Sequence, residues 1–144
     1  MQSMEMSPLK KIHVVAGLIS KDDCVLVCQR SAKGRFPLKW EFPGGKVELA
    51  EEPYAALSRE LKEELGIEID GANEMYSYNH VYAEIVEVQL RFFAVSGFRG
   101  EIANLAFEQI TWAKFSELNS YDFLDGDLAL VSKLASANGL VYQR

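Results

Sequence analysis

Twenty-three consecutive residues, Gly45 to Ile67, read GKVELAEEPYAALSRELKEELGI and constrain this chain more than any other stretch. Pro53 suits a first helical turn, strong helix formers follow, and Gly66 stands where a C-terminal cap belongs, so a helix is predicted from Pro53 to Leu65. At helical periodicity Tyr54, Leu57, Leu61 and Leu65 form one apolar stripe. Glu60, Glu63 and Glu64 gather on a neighbouring face at i, i+3 and i+4. Like charges at that spacing repel by a few tenths of a kcal/mol per pair on an exposed helix (~0.2–0.5). Converging hard oxygen ligands suit Mg²⁺, which keeps several waters and takes one or two carboxylates together with substrate phosphates.

RELKEEL alone is also how an ordinary solvated helix face reads, because i, i+4 charge patterning is common on surfaces. The preceding residues favour a ligand site. Trp40 to Lys46 spell WEFPGGK, a tight Gly-Gly turn between short extended segments, and glycine lets backbone approach a ligand closely. Spacing, turn and helix motif together point to a site.

Elsewhere the chain reads as one β-rich domain. Ile12 to Ser20 and Cys24 to Arg30 are expected to form a hairpin through Lys21, Asp22 and Asp23. After a charged loop from Ser31 to Lys39 and the box helix, Ile67 to Tyr78 and Glu84 to Phe98 form a second expected pair. In the latter, Ile85, Glu87, Gln89 and Arg91 alternate with Val86, Val88, Leu90 and Phe92. Gln109 to Ala113 adds a short strand and Leu128 to Ala137 a closing helix. This order argues for a mixed sheet sandwiched between helices, in one domain over residues 9–144, with residues 1–8 as a loose leader.

With 15 basic against 21 acidic residues the net charge is −6, which disfavours polymer nucleic acid and anionic membranes as partners. A small polyphosphate can still bind if metal and a few placed cations neutralise it. Cys24 and Cys28 would face one side of a strand, too far apart for a routine disulfide, and are expected to be reduced core residues. No signal peptide or spanning segment is visible, so the cytoplasm is the expected location. Ser58 lies beside the box, but His13 and His80 are remote in sequence and no nucleophile motif surrounds it; both histidines read as ordinary strand residues.

The box and the WEFPGGK turn resemble the signature of the Nudix hydrolases, and within them the MutT branch of 8-oxo-dGTP diphosphatases and CTP pyrophosphohydrolases. The resemblance covers about Ile12 to Leu134 and implies an α/β fold, a Nudix-type α/β/α sandwich with a mixed β-sheet. It further implies that Glu60, Glu63 and Glu64 surround Mg²⁺, with Mn²⁺ as a possible substitute and the Gly44 carbonyl as a further ligand. Glu60 or a neighbouring carboxylate would help activate water, Arg59 would orient carboxylates through its planar fork, and Glu51 would brace the helix start. Lys46, directly after Gly-Gly, either brings positive charge to the phosphates or is a solvated strand end.

This chain departs from the familiar pattern at two places. Ala50 replaces a common glycine before Glu51. Ala106 and Phe107 occupy the positions where relatives often carry Glu-His ahead of a tryptophan, here Trp112; Glu108 is then the nearest candidate for an extra metal ligand, and Glu101 the fallback. Arg30 corresponds to an arginine near the base in the MutT branch. Asp127 falls where that branch reads the base, yet it is equally placed to cap the closing helix. An ionised carboxylate accepts hydrogen bonds only, which suits a base edge bearing donors, such as cytosine N4 or guanine N1 and N2. The expected activity is Mg²⁺-dependent conversion of a nucleoside triphosphate to the monophosphate and pyrophosphate, on a CTP-like or an oxidised or otherwise modified nucleotide, by a monomer or homodimer. Alternatives are an ADP-ribose or dinucleoside polyphosphate pyrophosphatase, and a catalytically silent nucleotide-binding module.

Overall fold

The box helix, α1, runs Pro53–Leu65 and ends on Gly66 in the left-handed conformation (φ 72°), whose amide N–H donates to the Lys62 carbonyl at 3.0 Å. Leu57, Leu61 and Leu65 are completely buried, as their stripe requires, together with Ala56. Tyr54 is not: it is 41% exposed. A helical side chain leans toward the N-terminus and covers the turn before its own Cα. A residue in the first turn therefore reaches past the start of the helix, and Tyr54 leaves the sheet to its neighbours.

The computed structural model describes residues 9–140; the expected leader, residues 1–8, and the last four residues lie outside them. Ten α and β elements build two sheets: β1 Lys10–Leu18, β2 Ser20–Lys21, β3 Cys24–Gln29, β4 Trp40–Glu41, β5 Gly44–Lys46, α1, β6 Glu68–Tyr82, β7 Val86–Arg99, β8 Gln109–Lys114 and α2 Leu128–Ala137. The first sheet is mixed, in the order β5-β1-β7-β6: β1 lies parallel to β7 and antiparallel to β5, and β6 is antiparallel to β7. The second comprises β2, β3 and β4, with β8 paired to β3. One apolar cluster joins α1 to Val15, Ile19, Leu26, Cys28 and Phe93. The other joins α2 to Val25, Val27, Phe42, Phe92 and Phe123. Residues 25 to 28 thus feed both cores alternately, because successive side chains of a strand point to opposite faces.

The expected first hairpin is corrected. Only Ser20 and Lys21 pair with Val25 and Cys24, whereas β1 turns away at Ile19 to lie against β5 and β7. The reason is burial on two sides: Val15, Leu18 and Ile19 are almost wholly enclosed, which a two-stranded hairpin could not provide. The second pair forms as expected and extends to Tyr82 and Arg99, with register shifts between Ile69 and Tyr76. Of the two cysteines, both free thiols, Cys28 is core and Cys24 only half-buried at the strand start. No helix among the described residues is long and apolar enough to cross a membrane.

Ala50, the residue in place of glycine, adopts φ +63°. The left-handed region costs an L-residue roughly 1 kcal/mol. Ala50→Gly is therefore expected to stabilise the protein by about 0.5–1 kcal/mol, a rise of roughly 2–4 °C in melting temperature. Calorimetry showing no rise would mean that the flexibility glycine adds to the unfolded chain cancels the relief.

Candidate active site

The Gly44-Gly45 turn lets α1 approach β5 closely enough for its carboxylates to meet backbone. A Cβ at Gly45 would lie 2.4 Å from the Glu60 carboxyl carbon, and one at Gly44 only 2.0 Å from the Val15 carbonyl oxygen. The Gly44 amide N–H donates to Glu64 Oε1 at 3.0 Å. Gly44 thus meets the helix through its amide N–H rather than its carbonyl.

Arg59 organises the carboxylates around it. Its Nε and Nη2 donate to the two oxygens of Glu51 at 2.9 and 3.0 Å, Nη1 donates to Glu60 Oε1 at 2.8 Å, and Nη2 also donates to the Lys46 carbonyl at 3.0 Å. Glu63 Oε2 stands 3.6 Å from the same Nη1. The Glu48 amide N–H adds a further donor to Glu51. The Arg59 bonds and that amide hold the Glu51 carboxyl down at about 2. Here the fork-on-fork geometry of a guanidinium and a carboxylate binds a loop to a helix.

Glu60 and Glu64 experience the opposite field. Burial pushes the Glu60 carboxyl up, against the pull of Arg59, and Glu63 and Glu51 push it further. Glu64 is raised to about 8, first by burial and then by Glu60, Glu41 and Glu63, with only the Gly44 amide opposing. Beneath them Cys28 is raised by burial and by Glu64 and Glu41. Crowded carboxylates that resist ionisation are short of positive charge, which a divalent cation would supply. The donors are all oxygen, matching Mg²⁺ or Mn²⁺ rather than a soft metal. Among the described residues no three acidic, imidazole or thiol groups stand close enough to cage an ion; Glu60 is engaged by Arg59 and Glu64 by Gly44.

Glu64 also lines a cleft of about 210 Å³ with Arg30, Arg35, Glu41, Ala106 and Phe107. Arg30 Nη1 donates to Glu41 Oε1 at 3.1 Å, and Arg30 Nε to the Arg35 carbonyl at 2.9 Å. Burial pushes Glu41 up and Arg30 pulls it down. Glu41 thus links the carboxylates of α1 to Arg30, a position missed from sequence. Its signal was an acid between Trp40 and Phe42; with those aromatics turned to one face of an extended segment, the acid turns to the other, opposite Cys28.

Asp127 is 5% exposed, and its side chain makes no capping bond to α2, so the capping alternative fails on geometry. Burial raises its carboxyl well above the usual range, Glu41 adds to this and Arg30 opposes it. Three of the residues named from sequence, Arg30, Glu64 and Asp127, therefore share one electrostatic neighbourhood through Glu41. Lys46 does not join them. Its carbonyl holds Arg59, and it lines a separate, larger hollow of about 620 Å³ with Lys10, Lys11, His13 and Arg91. Glu108 is exposed at the foot of β8, where its amide N–H donates to the Gln29 carbonyl, while Ala106 and Phe107 reach the cleft. His13 is bonded to Gln89 and His80 packs edge-on against Tyr82, in keeping with strand roles.

A helix-borne carboxylate cluster braced by an arginine is set against a glycine turn at the edge of a mixed sheet, on an α/β/α scaffold. The NUDIX domain model matches residues 10–134, and the chain belongs to that family, the Nudix hydrolases, enzymes that cleave phosphoanhydride bonds of nucleotides and generally require a divalent metal. It is 38% identical over 94 residues to an 8-oxo-dGTP diphosphatase of Proteus vulgaris, covering 65% of this chain and 83% of that protein. To a CTP pyrophosphohydrolase of Escherichia coli it is 33% identical over 123 residues, covering 85% and 90%. Among solved structures, the E. coli ORF135 protein superimposes with a TM-score of 0.78 at 32% identity, covering 89% of this chain and 91% of that one.

Proposed function

We propose that this enzyme is a Mg²⁺-dependent nucleoside triphosphate pyrophosphohydrolase that releases a nucleoside monophosphate and pyrophosphate, acting on a cytosine nucleotide or an oxidised guanine nucleotide. The observation that carries this reading is Asp127: a buried acid that makes no capping bond, within the fields of Glu41 and Arg30, two residues that line the cleft with Glu64. A carboxylate at this position accepts hydrogen bonds through both oxygens, whereas an amide would replace one acceptor with a donor. Two acceptors suit the N4 amine of cytosine, and equally the N1–H and N2 amine of guanine. Relatives named for CTP and for 8-oxo-dGTP support both.

Glu60, Glu63 and Glu64 would hold the ion with the Gly44 carbonyl, and Glu108 remains the outlying candidate. Bound Mg²⁺ neutralises phosphate charge and lowers the pKa of coordinated water. Arg59 keeps the carboxylates in place, and Glu60 or a neighbour accepts the proton of the attacking water. Arg30 binds near the base, and Lys46, which lines the separate hollow, would add only longer-range positive potential toward the phosphates. Phosphoryl transfer needs mostly such positioning and charge compensation. An ADP-ribose or dinucleoside polyphosphate substrate would use the same chemistry, and a product assay across these classes separates them.

Two outcomes are expected. In H₂¹⁸O, label should enter pyrophosphate and not the monophosphate, marking attack at the phosphorus next to the nucleoside-linked one; orthophosphate as the first product would overturn the reading. Asp127→Asn should shift relative kcat/KM between CTP and 8-oxo-dGTP by about tenfold or more, within the roughly 1–3 kcal/mol of a good base contact. Its melting temperature at pH 7 should be unchanged or higher, because the buried acid is replaced by a neutral isostere. An unchanged substrate ranking would remove Asp127 from base recognition.

A further inference from the structure

Asp127 has no side-chain hydrogen bond to the described residues, so its direction is inherited from the backbone that carries it. That backbone is held from two sides. On one, the Trp40 amide N–H donates to Asp122 at 2.9 Å and the Leu124 amide N–H to Trp40 at 3.0 Å, stitching the segment to β4, which carries Glu41. On the other, the Gly126 amide N–H donates to the Tyr82 hydroxyl at 2.9 Å, forty-four residues away at the end of β6. A Cβ on Gly126 would lie 2.5 Å from that hydroxyl and 2.8 Å from Leu90 Cδ1. Contact, not backbone conformation, demands the glycine. The Tyr82 ring meanwhile packs against Phe36, centroids 5.3 Å apart, in the loop whose Arg35 carbonyl accepts from Arg30.

From this geometry we propose that Tyr82 is a positioning residue for nucleotide selectivity: its hydroxyl latches Gly126 and so aims Asp127, while its ring seats the Phe36 loop beside the same pocket. Tyr82 acts through Asp127 and the loop, and the inference rests on the reading of Asp127 as the base contact. A phenol is well suited to this, since one oxygen accepts from Gly126 and its own proton remains to be donated toward the pocket. The fields of Asp127 and Glu41 both reach that hydroxyl.

The test is steady-state kinetics of the full chain with CTP and 8-oxo-dGTP at saturating Mg²⁺, for Tyr82→Phe, Asp127→Asn and the double variant. Tyr82→Phe keeps the ring and deletes the latch. It should raise KM for the better nucleotide about fivefold or more with kcat within about twofold, the pattern of lost binding rather than lost chemistry, and should narrow discrimination between the two. In the Asp127→Asn background the same change should move KM less than about twofold, because the group being aimed is gone. Gly126→Ala, which crowds the latch from the other side, should reproduce the KM rise. If Asp127→Asn alters the ranking while Tyr82→Phe lowers only the melting temperature, or acts equally in both backgrounds, the latch is overturned and the base reading stands. If Asp127→Asn leaves the ranking unchanged, or neither nucleotide is turned over, the base reading falls and the latch with it.

Discussion

Glu64→Gln should cut turnover at least ~10²-fold at saturating Mg²⁺, comparable to removing one preorganised electrostatic partner from a transition state, and at the same time stabilise the metal-free protein at alkaline pH. The two effects share one cause. The Glu64 carboxyl is held at about 8, above its ordinary 4.5, by burial and by Glu60, Glu41 and Glu63. An acid whose pKa is raised by folding binds more protons folded than unfolded. Its contribution is favourable below pH 4.5 and is lost as pH rises through about 8. Above that pH the ionised group costs on the order of a few kcal/mol, and glutamine, which can still accept from Gly44, removes the cost. In chelator at pH 9 the variant should melt several degrees higher than the unaltered protein, a few degrees per kcal/mol; at pH 4 the difference should vanish. Near-normal turnover with Mg²⁺ would take Glu64 out of the metal site, and an unchanged alkaline melting temperature would refute the crowding. Glu63→Gln should match the loss of turnover without the stability gain, since Glu63 is largely exposed.

Gly45→Ala and Gly44→Ala are expected to fail in different ways although they are neighbours. At Gly45 the three atoms nearest the new methyl all belong to the carboxylate end of Glu60. A flexible side chain can move, so the fold survives with a melting temperature within a few degrees, while Glu60 leaves the position that Arg59 holds and kcat falls about 10- to 10²-fold. At Gly44 the methyl meets the Val15 carbonyl at 2.0 Å and Ala16 Cα at 2.7 Å, both backbone. β5 must then part from β1, at a cost typical of overpacking, about 1–3 kcal/mol or more. Stability and activity should fall together. Thermal melts beside kinetics distinguish the pair; a destabilised Gly45→Ala or an unaffected Gly44→Ala would contradict the close helix–strand approach.

Much of this site was legible in one dimension because its parts are local. Helix α1, its Pro53 start, its Gly66 stop and the shared face of Glu60, Glu63 and Glu64 follow from 3.6-residue periodicity and the chemistry of two residue types, and Arg59 and Glu51 are near enough in sequence for their pairing to be anticipated. Tertiary packing decided the rest. The direction of β1 depended on partners some thirty and seventy-five residues away, at Gly45 and Arg91; a strand's own residues do not specify which edge it joins. Tyr54 belonged to the apolar stripe by angle and was exposed by its place at the helix end. Lys46 followed the glycine pair and lined another hollow, while Glu41, unremarked in the same turn, reached both Arg30 and the field of Asp127. Asp127 could be cap or reader on sequence alone, since both roles ask for an acid at that position. The fold shows no capping bond and sets the carboxyl in the fields of Glu41 and Arg30, with neighbouring Gly126 pinned by Tyr82; residues forty to a hundred positions away, not the helix it precedes, set its surroundings.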